Sequence, residues 1–258
     1  MPPTDASTDA GTEPATAGAP DCEDTLDLRL PDELVALIAD CGGRTAPLTP
    51  DGSPGPDRTA AAEPDPARGD LLDHVATWGP ATTEAGVFQL VPARLDRDLA
   101  LISRWMNDPA VAAFWELAGP PSVTEAHLRP QLEGDGRSVP CLGVLSGTPM
   151  SYWEIYRADL DPLARHYPAR PHDTGIHLLV GEVVDRGRGL GSTLLRAAAD
   201  LVLDHRPSCA RVVAEPDLRN TPSVSAFLSA GFRFAAELDL PDKRAALMVR
   251  DRTLRAVL

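Results

Sequence analysis

Two stretches of this chain carry residues whose types and spacing can do chemistry. Thr174-Gly-Ile-His-Leu-Leu-Val-Gly181 is an apolar strand pattern. It runs into Arg186-Gly-Arg-Gly-Leu-Gly191-Ser-Thr, a glycine-rich turn that opens a helix. Glycines let backbone N–H groups approach an anion closely, and a helix start adds roughly half a positive charge. In outline this is a pyrophosphate site, although a plain tight turn uses the same residues. A dinucleotide-binding turn fits less well. The spacing is G-x-G-x-G, and Glu215 and Asp217 lead into a proline-interrupted turn, not a ribose site about 20 positions on.

These groups need a frame, and the hydrophobic periods supply one. Phe88–Arg94 reads as a strand, and an apolar-periodic helix follows from Asp96 through Leu99, Ile102, Trp105 and Met106. Asp108-Pro109 is an N-cap with proline at the first helical position. Ser122-x-x-Glu125 predicts a capping box for a third helix. Val139–Ser146 and Met150–Tyr156 predict two strands joined by a hairpin at Gly147. After an aperiodic, proline-containing stretch (residues 158–173, with Tyr167 and His172) that loop length suggests as a lid, the spacing predicts a strand at Thr174–Gly181. A helix at Gly189–His205, a strand at Arg211–Glu215 and a helix from Asn220 to Gly231 follow. Phe232–Leu238 and Arg244–Arg250 complete the set. Strands alternating with helices give an α/β or α+β fold, a sheet covered by helices.

The charge is uneven. Residues 1–87 hold 17 acidic side chains, four arginines, 12 of the 26 prolines, one tryptophan and no Phe or Tyr, for a net of −13. Residues 88–258 net −1. Such a leader lacks the apolar surface to offset chain entropy, so 1–87 reads as largely disordered, with one short amphipathic helix at 32–40. The folded domain is expected at 88–258. A near-neutral domain behind an acidic leader makes a poor nucleic-acid binder. No apolar run approaches the ~18–20 residues of a membrane span. Cys22, Cys41, Cys141 and Cys209 are scattered, which suggests no zinc cage and no disulfide framework, and points to reduced thiols in a cytoplasm with no metal.

Arg186-x-x-Gly189-x-Gly191 resembles the acyl-CoA pyrophosphate loop of the GNAT N-acetyltransferase superfamily. Asn220-x-x-Ser223-x-x-Ala226-Phe227-x-x-x-Gly231-Phe232 is similar to its next helix and strand. Trp105-Met-Asn-Asp-Pro109, Phe114-Trp115, Tyr152-Trp-Glu-Ile-Tyr156, His177-Leu-Leu-Val-Gly181, Glu215-Pro-Asp-Leu-Arg-Asn220 and Leu240-Pro-Asp-Lys-Arg-Ala-Ala-Leu247 resemble a narrower branch. That branch is the siderophore-biosynthesis acyltransferases of the mycobactin, aerobactin and desferrioxamine pathways. The resemblance covers roughly residues 88–250.

It implies a mixed, twisted sheet with helices on both faces and a splayed pair of central parallel strands. The implied reaction is transfer from acyl-CoA, acetyl-CoA first, to the side-chain amine or N-hydroxyamine of a lysine-, ornithine- or cadaverine-type acceptor. Whether the thioester arrives on CoA or on an acyl carrier protein stays open. Acyl transfer needs an anion site, a neutral amine, an oxyanion donor and a proton source for the thiolate. For the anion site the candidates are the N–H groups of Arg188, Gly189, Gly191 and Ser192, with Arg186 and Asn220 beside them. A strand N–H near Leu179 or Val180 would face the thioester carbonyl. By resemblance Asp217 takes the amine proton and His177 holds the acceptor. Asp217 would act best with a raised pKa, or on a hydroxylated amine that is already neutral. A packing histidine and a turn-forming aspartate are the plain alternatives. Trp115 and Trp153 are expected to line the acceptor tunnel, with Trp105 in the core. Lys243, the chain's only lysine, is expected to meet a carboxylate on the substrate or a CoA phosphate, with a charged hairpin tip as the plain alternative. Where many GNAT enzymes place a thiolate-protonating tyrosine, this chain has Phe227. Two other readings compete: aminoglycoside 6′-N-acetylation, and a non-catalytic acyl-CoA-binding module.

Overall fold

The structure, a computed structural model, describes Leu72 and residues 74–255, all within the unit spanning 60–258. The expected helix at 32–40 lies outside these residues. Eight strands form one sheet: β1 Ala81–Thr83, β2 Gly86–Pro92, β3 Ser138–Leu145, β4 Thr148–Arg157, β5 Thr174–Val180, β6 Arg211–Ala214, β7 Arg233–Asp239 and β8 Arg244–Asp251. The helices are α1 Leu95–Met106, α2 Pro109–Trp115, α3 Pro121–Leu132, α4 Leu190–His205 and α5 Thr221–Ser229. Strand order is β1-β2-β3-β4-β5-β6-β8-β7, and every neighbouring pair is antiparallel except β5–β6.

Local chemistry places most element ends where the sequence puts them. Asp108 caps α2 by accepting from the Ala110 N–H (2.9 Å), with Pro109 following. Ser146 and Gly147 both have positive φ (48° and 85°) in the β3–β4 hairpin, as a tight two-residue turn requires. The expected Ser122–Glu125 box does not form. Pro121 already has helical geometry, so α3 starts ahead of Ser122 with no side-chain cap.

The packed unit also reaches back past Phe88. Leu72, Val75 and Trp78 are buried in the core, Trp78 stacks on His205 (centroids 5.6 Å apart), and β1 pairs with β2. A three-residue strand behind Pro80 has too little pattern to read.

Alternation along the central strands divides two cores. Trp153, Ile155 and Ile176 face α4 with Phe88 and Phe227. Tyr152 and Leu179 face α1 through Ile102, Trp105 and Met106. Helices therefore cover both faces, and Trp105 is core as expected. Residues 158–173 are strapped down, not poised as a lid. Asp173 is fully buried and makes two 2.8 Å bonds to Arg211, and the Tyr167 hydroxyl donates to it at 2.9 Å.

What positions the site is a divergence in the sheet. β5 and β6 pair only at Thr174–Val212 and Gly175–Val213. Beyond Gly175, β5 continues to Val180 paired with β4 alone, while β6 keeps β8.

Candidate active site

The divergence opens a cleft of about 620 Å³. Its walls are the end of β5 (Leu178 to Val180), α2 through Phe114 and Trp115, the loop at 185–192, and α5 from Asn220 to Ser229. Gly187, Gly189, Gly191 and Ser192 line it; Arg188, just beside them, is exposed. Gly187 and Gly189 sit at φ 71° and 79°, and a Cβ at either would meet nothing within 4 Å, so the backbone there is open to a ligand. Gly189 is the N-cap of α4 and no side chain caps that helix. Its first-turn N–H groups are free to hold an anion. Asn220 caps α5 through Ser223 N–H (3.2 Å) and lines the cleft opposite.

Three expectations about this end change. Arg186 lines the cleft, but its guanidinium donates to the Val180 and Gly181 carbonyls (2.9 and 2.6 Å) and to Asp108 (2.8 Å). It ties the loop to the strand end and to α2, and so braces the loop. Leu179 also gives way as the amide donor. Gly181 N–H donates to Met150 (2.8 Å) and Ala158 N–H to Asp173 (2.9 Å), one at each end of the β4–β5 ladder. Antiparallel alternation then turns the backbone groups of 175, 177 and 179 toward β4, and those of Ile176, Leu178 and Val180 toward the opening. Trp153, finally, is wholly buried, its N–H on the Ser151 hydroxyl (2.9 Å) and its ring against Phe88. Alternation puts it on the α4 side, away from the acceptor end; Trp115 alone of the pair lines the cleft.

Around His177, beyond Trp115, lies a network that residue types alone did not reveal. His177 Nδ1 is 3.0 Å from Glu154 and Nε2 is 2.5 Å from Glu215. The Tyr156 hydroxyl donates to Glu215 (2.7 Å), and the Tyr152 hydroxyl and the Gln131 amide donate to Glu154 (2.9 Å each). His127 Nε2 is 2.5 Å from Glu154. Trp115 stands edge-on to both Tyr152 and His177. Gly175 makes room for this: a Cβ there would lie 2.0 Å from the Tyr156 ring. Glu154 was legible in part, since Tyr-x-Glu-x-Tyr at 152–156 puts three polar groups on one strand face and β4–β5 register sets Glu154 opposite His177.

Burial would lower the His177 imidazole, but Glu215 and Glu154 outweigh it and raise it to about 10. Burial would likewise raise Glu215, yet His177 and then Lys243 hold it at about 2. Glu154 is held well below the usual carboxylate range by His127 and His177 against its own burial. At neutral pH the centre is therefore an imidazolium between two carboxylates. The His177 contribution to stability is complete below its ordinary 6.5 and declines as pH rises through about 10. That of Glu215 is complete above its ordinary 4.5 and declines as pH falls through about 2. Thermal midpoints measured against pH are thus expected to peak between about 4.5 and 6.5.

Asp217 is buried just past β6, bridged to Ala245 of β8. Arg219 grips it through both carboxylate oxygens (2.6 and 3.1 Å) and through its own backbone N–H (2.7 Å). That contact holds its carboxyl below the usual range, opposite to the raised value expected of a base. Lys243 reaches in from the β7–β8 turn, its Nζ 3.8 Å from Glu215. Phe227 is buried and packs edge-on against Phe232, while Ser225 and Ser229 beside it are exposed to the cleft. Among the described residues no helix is long and apolar enough to cross a membrane.

Residues 94–240 match the family described as an acetyltransferase (GNAT) domain. The lysine N-acyltransferase MbtK of Mycobacterium sp. (strain MCS) is 37% identical over 174 residues, 67% of this chain and 71% of that protein. The N(6)-hydroxylysine O-acetyltransferase of Escherichia coli is 38% identical over 155 residues, 60% of this chain and 49% of that protein. Among solved structures, an uncharacterized Bacillus halodurans protein (bh2621) has a TM-score of 0.65 at 31% identity, covering 69% of this chain and 92% of that one. The aminoglycoside-modifying AAC(6')-Ib, solved with acetyl-CoA, has a TM-score of 0.55 at 23% identity, covering 64% of this chain and 94% of that one. This last likeness is one of fold alone.

Proposed function

Because the chain belongs to the GNAT family of N-acyltransferases, we propose that it transfers an acyl group from acyl-CoA, acetyl-CoA first, to the side-chain amine or N-hydroxyamine of a lysine-type acceptor for hydroxamate siderophore assembly. Ornithine and cadaverine analogues share that chemistry. The names of the two relatives support the acceptor class. The observation that carries the reading is the cleft at the β5–β6 divergence, with an uncapped helix start on one wall and, on another, Trp115, whose ring stands edge-on to His177.

In this reading the N–H groups at 188–192 hold the diphosphate, braced by Arg186. The free edge of β5 pairs with the pantetheine arm, and Leu178 or Val180 N–H meets the thioester oxygen. Trp115 and His177 bound the acceptor side. The acceptor nitrogen attacks the carbonyl, the C–N bond forms and the C–S bond breaks. Asp217 accepts the nitrogen's proton, and the thiolate, a fair leaving group near pKa ~8.5, takes its proton from water. A low-pKa carboxylate cannot deprotonate a lysine ammonium (pKa ~10.4) efficiently. It can deprotonate the far more acidic nitrogen of the tetrahedral adduct, so an acceptor that arrives neutral, such as a hydroxylamine, suits this site best.

Free thiol released from acetyl-CoA with N6-hydroxylysine or N-hydroxycadaverine tests the proposal; no release with either, under conditions where CoA binds, overturns it. Gly189→Val is expected to raise KM for acetyl-CoA about tenfold, since a β-branched residue in left-handed geometry costs ~1–2 kcal/mol, while the acceptor KM holds.

A further inference from the structure

We infer that Arg219 recognises the carboxylate of an amino-acid acceptor and that, in turning to it, Arg219 releases Asp217 to act as the base. The inference rests on the acyl-transfer reading above. Its starting point is the contact between Arg219 and the proposed base. Arg219 closes both oxygens of Asp217. Such a pair is an obstacle to proton transfer unless something separates it.

The two partners differ in freedom. The Asp217 side chain is 7% exposed and its backbone is bridged to β8, whereas the side chain of Arg219 is 75% exposed. Arg219 is the partner that can leave. It is also the most open cation of the acceptor end. The His177 side chain is 34% exposed and boxed by two glutamates, and that of Lys243 is 24% exposed and faces Glu215. Asp217 follows Glu215, which bonds His177, by two residues, so the Asp217–Arg219 pair sits at the β6 side of that network.

An acceptor of the lysine type carries its reacting nitrogen at one end and a carboxylate at the other. With the nitrogen at the thioester, the carboxylate points out of the cleft. Exchanging the Asp217 carboxylate for that of the substrate keeps a bidentate guanidinium–carboxylate pair for Arg219, while Lys243 offsets part of the cost of uncovering a buried Asp217. Asp217, left with Lys243 as its nearby cation, then regains basicity. An acceptor without a carboxylate leaves the clamp shut. Selectivity would thus appear in turnover as well as in binding.

The test compares N6-hydroxylysine with N-hydroxycadaverine, which lacks the carboxylate, in the full chain and in Arg219→Gln. The parent is expected to favour hydroxylysine. In R219Q the hydroxylysine KM should rise about 10- to 100-fold, the range for a lost charge-assisted pair. With hydroxycadaverine kcat/KM should rise, because the clamp on Asp217 is gone, so the discrimination ratio collapses toward one. The acid limb of kcat/KM should move to higher pH, which a merely structural role would not cause. The inference is overturned if the parent does not discriminate, if both acceptors suffer alike in R219Q, or if the ratio survives. A parent that acylates neither acceptor overturns the acyl-transfer reading itself, and this inference with it.

Discussion

The Asp217→Asn enzyme is expected to turn over about 10²–10⁴-fold more slowly, the usual range for a lost general base, while binding acetyl-CoA as tightly as the parent. The substitution is nearly isosteric, and its amide oxygen still accepts the Arg219 backbone N–H that shapes the turn. What it removes is a carboxylate able to take the proton from the acceptor nitrogen. The diphosphate end is built on other elements, the 186–191 loop and the start of α4, so coenzyme affinity measured by calorimetry should hold. Thiol release with hydroxylysine gives kcat. Turnover within about tenfold of the parent would move the base elsewhere, and Glu215, already bonded to His177, would be the next residue to replace.

His177→Ala should have the largest effect on stability. Glu154 and Glu215 are both under a tenth exposed and share His177 as a cation between them. Taking one partner from a buried charge pair typically costs ~3–5 kcal/mol; the partial exposure of the imidazole places this case near the lower end. About 3 kcal/mol corresponds to a midpoint roughly 6–12 °C lower for a domain of this size. The shape of the pH curve should change with it. The decline from pH 6.5 toward 10 belongs to the imidazolium, so it should flatten in the variant. Acidification should now stabilise, because a protonated glutamate no longer needs a counter-charge. A midpoint unchanged from the parent, with the alkaline slope intact, would show that the two carboxylates are satisfied without His177.

How much of this was legible depended on the range of the interaction. Asp108 and Pro109, Ser146 and Gly147, and the glycines before α4 act within a few residues, and their turns and caps formed where the pattern put them. The cleft itself was reachable only by resemblance, because no local feature of β5 says that β6 turns away after Gly175. Two assignments failed for that reason. Trp153 and Tyr152 look alike as strand aromatics, and which of them meets the acceptor end depends on which helices cover each face. Arg186 reads as a phosphate ligand by type, yet the ends of β5 and the cap of α2 sit close enough to occupy it. Asp217 was singled out by its motif, but the arginine two residues on, which grips it, was passed over, since an exposed arginine carries no signal in the sequence.

The unfinished edge of β5 carries a hazard that the fold has to manage. A strand rim with spare amides invites any extended peptide, including a neighbour's, and exposed rims of this kind seed aggregation. Here the rim lies inside the sheet and is roofed by α2 and α5, with Phe114 and Phe227 among the walls. Roofed in this way, the rim is kept from pairing edge to edge with a second sheet.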